Sequence, residues 1–291
     1  MSCPAMLVAL LALLSAANPP ADDFVEQVNR PVALAAPGMD KVQVLADRPY
    51  GPGDKAHRFD AYLPGRTGAP VVLLLHGGVG ADVPFRPKDW GIYRSWGRLL
   101  AASGYVTIAF NHRLGFPNPM LAEADQDLAA MLETVRAQAR TLGADPSRIA
   151  LVAFSAGGPL LARPLRQELP GVRALAGFYP FLDLRKSPLH QKYLTPDAVT
   201  AFSPAAQLRT PVARRTPFFL ARAGKDTIPD ILPGIDAFVD ESLAAGTPLT
   251  LLNHPEAPHG FDHDPDPRTR EVLVAFLAFL GTHLAPGSAP G

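Results

Sequence analysis

The sequence predicts an α/β fold, a mainly parallel twisted sheet with helices on both faces. Three observations predict it. Short branched-apolar runs without alternation, at residues 71–75, 106–110 and 149–153, read as strands buried on both sides. Segments with helical spacing lie between them. The clearest is 121–142, where Leu121, Ala124, Leu128, Met131, Leu132, Val135 and Leu142 fall on one face. Strand and crossover helix then alternate through most of the chain, and such units build a parallel sheet.

Taken in order, residues 41–46 and 58–63 flank a Gly/Pro-rich turn at 49–54 and read as an antiparallel pair. Strand 71–75 is followed by a helix at 92–103, strand 106–110 and the 121–142 helix, which Gly143 suits as a stop. Strand 149–153 leads into a helical stretch at 159–168. Weaker strands are expected at 173–178, 218–221 and 249–252, with helices at 231–245 and 269–284. Residues 179–215 break the rhythm. They carry prolines at 180, 188, 196, 204 and 211 and are expected to form a short cap-like excursion over the sheet edge. No internal repeat is evident. One domain is therefore expected at 41–284, with an extension at 18–40 and a tail at 285–291.

Composition narrows the function. A chain of 291 residues can bury a full core, and 47% hydrophobic with 19% charged residues excludes a disordered chain. Lys+Arg and Asp+Glu are both 27, so no basic excess exists to condense on nucleic acid or anionic lipid. Gly 24 and Pro 32 make up about a fifth of the chain, against a usual value of roughly 12%. That excess implies many turns and long connections.

Residues 5–17 form an apolar run too short to span a bilayer comfortably, and Ser15-Ala16-Ala17 places small residues before Asn18. This reads as a secretory signal peptide at 1–17, with a secreted or periplasmic mature chain that is not inserted in the membrane. The flank before the run lacks Lys and Arg, so an uncleaved anchor is the rival. Cys3, the only cysteine, lies inside the segment. Once cleaved, the chain has no thiol, disulfide or cysteine-based metal site.

Two motifs carry chemistry. Ala153-Phe154-Ser155-Ala156-Gly157-Gly158 follows an apolar strand and opens a helical stretch. A sharp strand-to-helix turn holds a serine hydroxyl exposed, and small neighbours at 153 and 157 let strand and helix approach. This is the nucleophile-elbow pattern, with Ala153 where Gly is usual. His76-Gly77-Gly78-Val79-Gly80 directly follows the 71–75 strand. Its glycines can turn backbone N–H groups toward one point, as acyl transfer requires where the oxyanion forms. Gly78, Val79 and Ala156 are the candidate donors. A phosphate-binding loop is the rival, but neither a Walker Lys-Ser/Thr nor a complete Gly-x-Gly-x-x-Gly follows. His76 reads as a structural hydrogen-bonding residue.

With these motifs the chain resembles the α/β-hydrolases, specifically the esterase/lipase group with a His-Gly-Gly loop and a Gly-x-Ser-x-Gly elbow. The resemblance runs from about 41 to 284. It takes in Asn111-His112-Arg113-Leu114, Asp145-Pro146-Ser147-Arg148-Ile149, Ala223-Gly224-Lys225-Asp226 and Pro258-His259-Gly260-Phe261. It implies a triad in the order Ser155, Asp226, His259, ester hydrolysis through an acyl-enzyme, a small-molecule ester substrate and no cofactor. His259 also stands out separately. It sits in a Pro-His-Gly loop after the last strand, where an imidazole can reach the serine. Asp226 is preferred to Asp230, which stands before a helical pattern and reads as an N-cap.

Rival readings are a metal site at His259, Asp262, His263, Asp264 and Asp266, a peptidase or lactone hydrolase of the same fold, and a non-catalytic binding protein on this scaffold. Trp90 and Trp96 read as core or entrance residues, and Arg113 as a brace for a strand end. Phe181, Leu182, Tyr193 and Phe202 are expected either to line an acyl pocket or to pack the surface.

Overall fold

Side-chain alternation along one strand sets the architecture. In β3 (Ala69–Leu75) every residue is buried. Val71, Leu73 and Leu75 join one apolar cluster, and Val72 and Leu74 join another on the opposite face. A strand of this kind must be covered from both sides, and helices do the covering.

The computed structural model describes residues 26–52, 57–78, 86–114 and 119–286. The expected signal peptide, Cys3, Val79 and most of the C-terminal tail lie outside them. The described residues form an eight-stranded sheet in the order β1 (Gln43–Pro49), β2 (Arg58–Leu63), β4 (Val106–Phe110), β3, β5 (Ala144–Phe154), β6 (Val172–Phe178), β7 (Phe218–Ala223) and β8 (Leu249–His254). β2 runs antiparallel to both β1 and β4, and all other pairs are parallel. Among the described helices are α1 (Gly91–Ala102), α2 (Leu121–Ala137), α3 (Ala139–Leu142), α4 (Ala162–Arg166), α5 (Pro188–Tyr193), α6 (Pro196–Ala201), α7 (Ile231–Ala245) and α8 (Pro267–His283). Trp96 and Leu99 of α1 and Phe276 and Leu280 of α8 fill one face, with Leu128 and Met131 of α2 and Ile235 and Phe238 of α7 on the other.

The chain passes from β3 outward to β4, then back across β3 to β5. Strand order therefore reverses at β3, and the carboxyl ends of β3 and β5 lie side by side. In open α/β sheets that is where a crevice forms.

Several expectations shift in position. β1 begins at Gln43 rather than 41 because Met39–Lys41 turn as a 3-10 helix. The helix expected over 121–142 breaks at Gln138 into α2 and α3, and Gly143 then takes φ 65, the left-handed conformation that ends a helix. The stretch expected at 159–168 is a 3-10 helix over Ser155–Leu161 followed by α4. Pro159 lacks the N–H that an α-turn would use, and the Ser155 carbonyl accepts the Phe181 N–H instead, at 3.0 Å.

The described part of the extension is docked on the domain. Val32 is buried, its N–H donates to Ser95 Oγ at 3.1 Å, and the Ala33 N–H donates to the Asp262 carbonyl at 2.8 Å. Residues 179–215 fold into short helices and turns, from which Leu182, Leu184, Val199, Ala205 and Leu208 enter the α2/α7 core. The segment is part of the packed body on that face.

Candidate active site

Four loops at the carboxyl ends of parallel strands supply the site. β3 ends in His76-Gly77-Gly78, β5 in Ser155, β7 in the turn to Asp226, and β8 in the loop to His259. Because these strands share one direction, their loops gather at one edge of the sheet.

Ser155 has φ 49, the left-handed region that a non-glycine residue rarely occupies. The turn is tight behind it. A Cβ on Gly157 would stand 2.5 Å from the Leu75 carbonyl oxygen and 2.7 Å from that of His76, so only glycine lets the elbow approach β3.

Ser155 Oγ lies 3.0 Å from His259 Nε2, and His259 Nδ1 lies 2.7 Å from Asp226 Oδ2. The carboxylate contact requires the proton on Nδ1, leaving Nε2 free to accept from the serine hydroxyl. Asp226 is fixed in turn, because its Oδ1 accepts the Ile228 N–H at 2.9 Å and its side chain is fully buried. The three side chains therefore stand in one hydrogen-bonded series.

Facing the serine, the Gly77 N–H donates to the Tyr93 hydroxyl at 2.8 Å. The N–H groups of Gly78 and Ala156 have no acceptor among the described residues. A Cβ on Gly78 would come within 3.1 Å of Ala156 Cβ, so the two donors are neighbours. Val79 lies outside the described residues.

His76 holds the loop from below. Its Nδ1–H donates to the Gly77 carbonyl at 2.8 Å, and its Nε2 accepts the His112 N–H at 3.1 Å. Burial pushes this imidazole down to about 4, so it is neutral near pH 7.

A cavity of about 260 Å³ opens on Ser155. Its walls include Gln27 and Val28, Gly77 and Gly78, Trp90, Ile92 and Tyr93, Tyr179, Ile228 and the 258–260 loop. Trp90 is thus an entrance residue, whereas Trp96 is fully buried in the core. Phe181, Leu182, Tyr193 and Phe202 do not line this cavity. Leu182 is wholly buried, and Phe181 and Phe202 pack against the α2/α7 core. Arg113 forms a bidentate pair with Asp127 behind β4.

The acidic cluster divides among separate tasks. Asp262 is buried and accepts from Trp96 Nε1 and from the Tyr179 hydroxyl, each at 2.6 Å. Asp266 caps α8 through the N–H groups of Arg268 and Thr269 and meets His254 Nε2 at 3.1 Å. Among the described residues no group of three or more His, Cys, Asp or Glu is arranged to hold a metal ion.

Sequence reasoning missed Tyr93, Tyr179 and the cavity-lining role of Gln27 and Val28. Tyr179 carried one usable signal, its place directly after a buried parallel strand. Tyr93 and Gln27 meet the site only through contacts distant in sequence.

Comparisons with known proteins bear on the fold. The family model described as BD-FAE matches residues 59–163, from β2 through the elbow. Among solved structures, esterase B of Lactobacillus rhamnosis with a C6-C4 SN3 inhibitor has 20% identity, a TM-score of 0.71, and covers 95% of this chain and 94% of its own. The propionate-bound esterase Est2 of the planctomycete Thermogutta terrifontis has 24% identity and a TM-score of 0.61, with 86% and 98% covered. A truncated carbohydrate esterase from gut microbiota has 18% identity and a TM-score of 0.63, with 82% and 96% covered.

The fold is that of the α/β-hydrolases. No curated protein matches the sequence. The α/β-hydrolase fold alone does not choose a reaction, so the chemistry must be argued from the residues at the sheet edge.

Proposed function

We propose that the protein is a serine hydrolase of carboxylic esters. The observation that carries this is the series Asp226–His259–Ser155 at 2.7 and 3.0 Å, opening on a cavity beside two backbone donors. His259 Nε2 takes the Ser155 proton as Oγ attacks the ester carbonyl. Asp226 keeps the imidazole in the useful tautomer and stabilises the imidazolium that forms. The N–H groups of Gly78 and Ala156 receive the charge that develops on the carbonyl oxygen, each worth about 3 kcal/mol in such sites. Nε2–H then protonates the departing alcohol, leaving Ser155 acylated. Water enters, gives its proton to Nε2, and attacks the acyl carbon. Collapse returns that proton to Oγ and releases the acid.

A cavity of about 260 Å³ is smaller than the roughly 300–1,000 Å³ of drug-sized sites, which supports short acyl or small alcohol groups. The butyrate-bound form of Est2 and the tributyrin-phosphonate form of esterase B agree with that choice. Residues 1–17 are read as a secretory leader, on the apolar run 5–17 and the small residues that end it.

The test is direct. A fluorophosphonate probe should label the purified protein at Ser155, and esters of increasing acyl length should be hydrolysed best at the short end. Absence of labelling together with absence of ester turnover would overturn the reading.

A further inference from the structure

Of the two ring nitrogens of His259, only Nδ1 faces a charged partner, and a side chain held at one corner can still swing. Beside the imidazole lies a ring. Tyr179 lies edge-on to the imidazole, with centroids 4.6 Å apart and planes at 61°. Its own placement is unusual. Tyr179 has φ 40, so two non-glycine residues of this site, Ser155 and Tyr179, both hold left-handed backbone. Strain of that kind persists only where the surroundings over-determine it.

Tyr179 is fixed at both ends. Its N–H donates to the Ala221 carbonyl at 2.9 Å, tying it to β7. Its hydroxyl donates to Asp262 Oδ1 at 2.6 Å. Asp262 cannot turn away, because Oδ2 accepts from Trp96 Nε1 at 2.6 Å and its carbonyl accepts the Ala33 N–H at 2.8 Å. Trp96 is wholly enclosed in the core. The chain of contacts thus runs from the core indole through a carboxylate and a phenol to the imidazole. Asp262 is itself costly to bury, and burial raises its carboxyl above the ordinary range against the two donors. A leucine in the same place would need no partner, whereas this acid is matched by two donors, Trp96 and Tyr179.

We propose that Tyr179 is a positioning residue for His259 and that Asp262 acts through it, holding the phenol ring as the wall that keeps Nε2 aimed at Ser155. The proposal rests on the serine-esterase reading. The ring restrains the neutral imidazole before proton transfer and the imidazolium after it, while Asp226 selects the tautomer. Neither Tyr179 nor Asp262 exchanges a proton with substrate.

The test is a double-mutant cycle of Tyr179→Phe and Asp262→Asn, reading kcat and KM on a short-chain ester and the thermal midpoint of each protein. Tyr179→Phe keeps the ring and removes its anchor. It should lower kcat on the order of tenfold and leave KM within about twofold, since aim is lost and binding is not. Asp262→Asn should do the same, and the double variant should be no slower than the slower single. The proposal is overturned if Tyr179→Phe keeps kcat within twofold, or if the two losses multiply. Should Asp262→Asn fail to fold, the kcat and KM of Tyr179→Phe decide alone. Ser155→Ala is run beside them. If that variant still turns over the ester, the esterase reading itself has failed, which is a different result from an unaffected Tyr179→Phe enzyme.

Discussion

The Gly77 N–H donates to the Tyr93 hydroxyl, 2.8 Å away, and this decides which donors of the glycine loop can serve the reaction. With the Gly77 N–H occupied by a side chain of α1, the first free N–H on that loop is that of Gly78. Tyr93→Phe removes the acceptor and leaves a buried N–H unsatisfied, at a cost of about 1–3 kcal/mol. The thermal midpoint should fall by several degrees. kcat should fall as well, on the order of tenfold, because the donor pair loses its registration. Calorimetry and steady-state kinetics on the one variant check both effects.

The elbow makes a second prediction. Gly157→Val should give no active enzyme, since even a Cβ there would lie 2.5 Å from the Leu75 carbonyl oxygen. Ala153→Gly should stay active, because Ala153 lies within β5 and pairs with Leu75 and Gly177 without touching the serine turn. A soluble, active Gly157→Val protein would sink the tight-elbow reading.

These two cases also show what the sequence could express. The elbow and the glycine loop were legible because each is a local string set directly after a buried strand, so pattern and position agree. Asp262 was visible only as one acid among several beside His259, and read as a rival metal ligand. Its task depends on Trp96 and Tyr179, 166 and 83 residues away in sequence. Contacts of that range leave no periodicity to read. The docking of the extension was illegible for the same reason, since Val32 and Ala33 are held through single hydrogen bonds to distant elements.

A third prediction concerns acid stability. His76 and His112 stack with centroids 3.6 Å apart, and both ring nitrogens of His112 are buried without a hydrogen-bond partner among the described residues. Burial depresses both imidazoles, His76 to about 4 from 6.5 and His112 well below its ordinary value, with His76 as its second cause. In the folded protein they stay neutral while the unfolded chain takes up protons below about 6.5. Stability is therefore fully present above that pH and is lost as pH falls toward 4. His112→Phe keeps the stacked ring and removes two unsatisfied polar atoms. It should raise the thermal midpoint by a few degrees at pH 7 and flatten its decline between pH 6.5 and 4. Midpoints measured across that range for parent and variant test this, and an unchanged slope would count against it.

The last prediction separates the two aspartates after β7. Asp226 has one oxygen on Ile228 N–H and the other on His259 Nδ1. Asp226→Asn preserves the shape but can present an amide N–H to Nδ1, favouring the wrong tautomer. kcat should fall on the order of ten-thousandfold with the fold intact. Asp230 was expected to cap α7 with its side chain, and it does not. It stands at the N-cap position with φ 70 and makes no side-chain capping bond. In the turn that closes with the Ile231 N–H on the Ile228 carbonyl, at 3.4 Å, Asp230 holds left-handed backbone, which takes the carboxylate out of the extended geometry a capping side chain needs. Asp230 thus contributes conformation rather than a hydrogen bond. Asp230→Gly should hold or slightly raise the thermal midpoint, because glycine adopts φ near +70° freely. Asp230→Ala should leave it within a degree or two, because the variant keeps the Cβ in that region and removes a side chain that makes no capping bond. Both should keep kcat within a small factor of the parent. If Asp230→Ala loses turnover while Asp226→Asn keeps it, the acid belongs at 230 and the hydrogen-bonded series at 226 is structural.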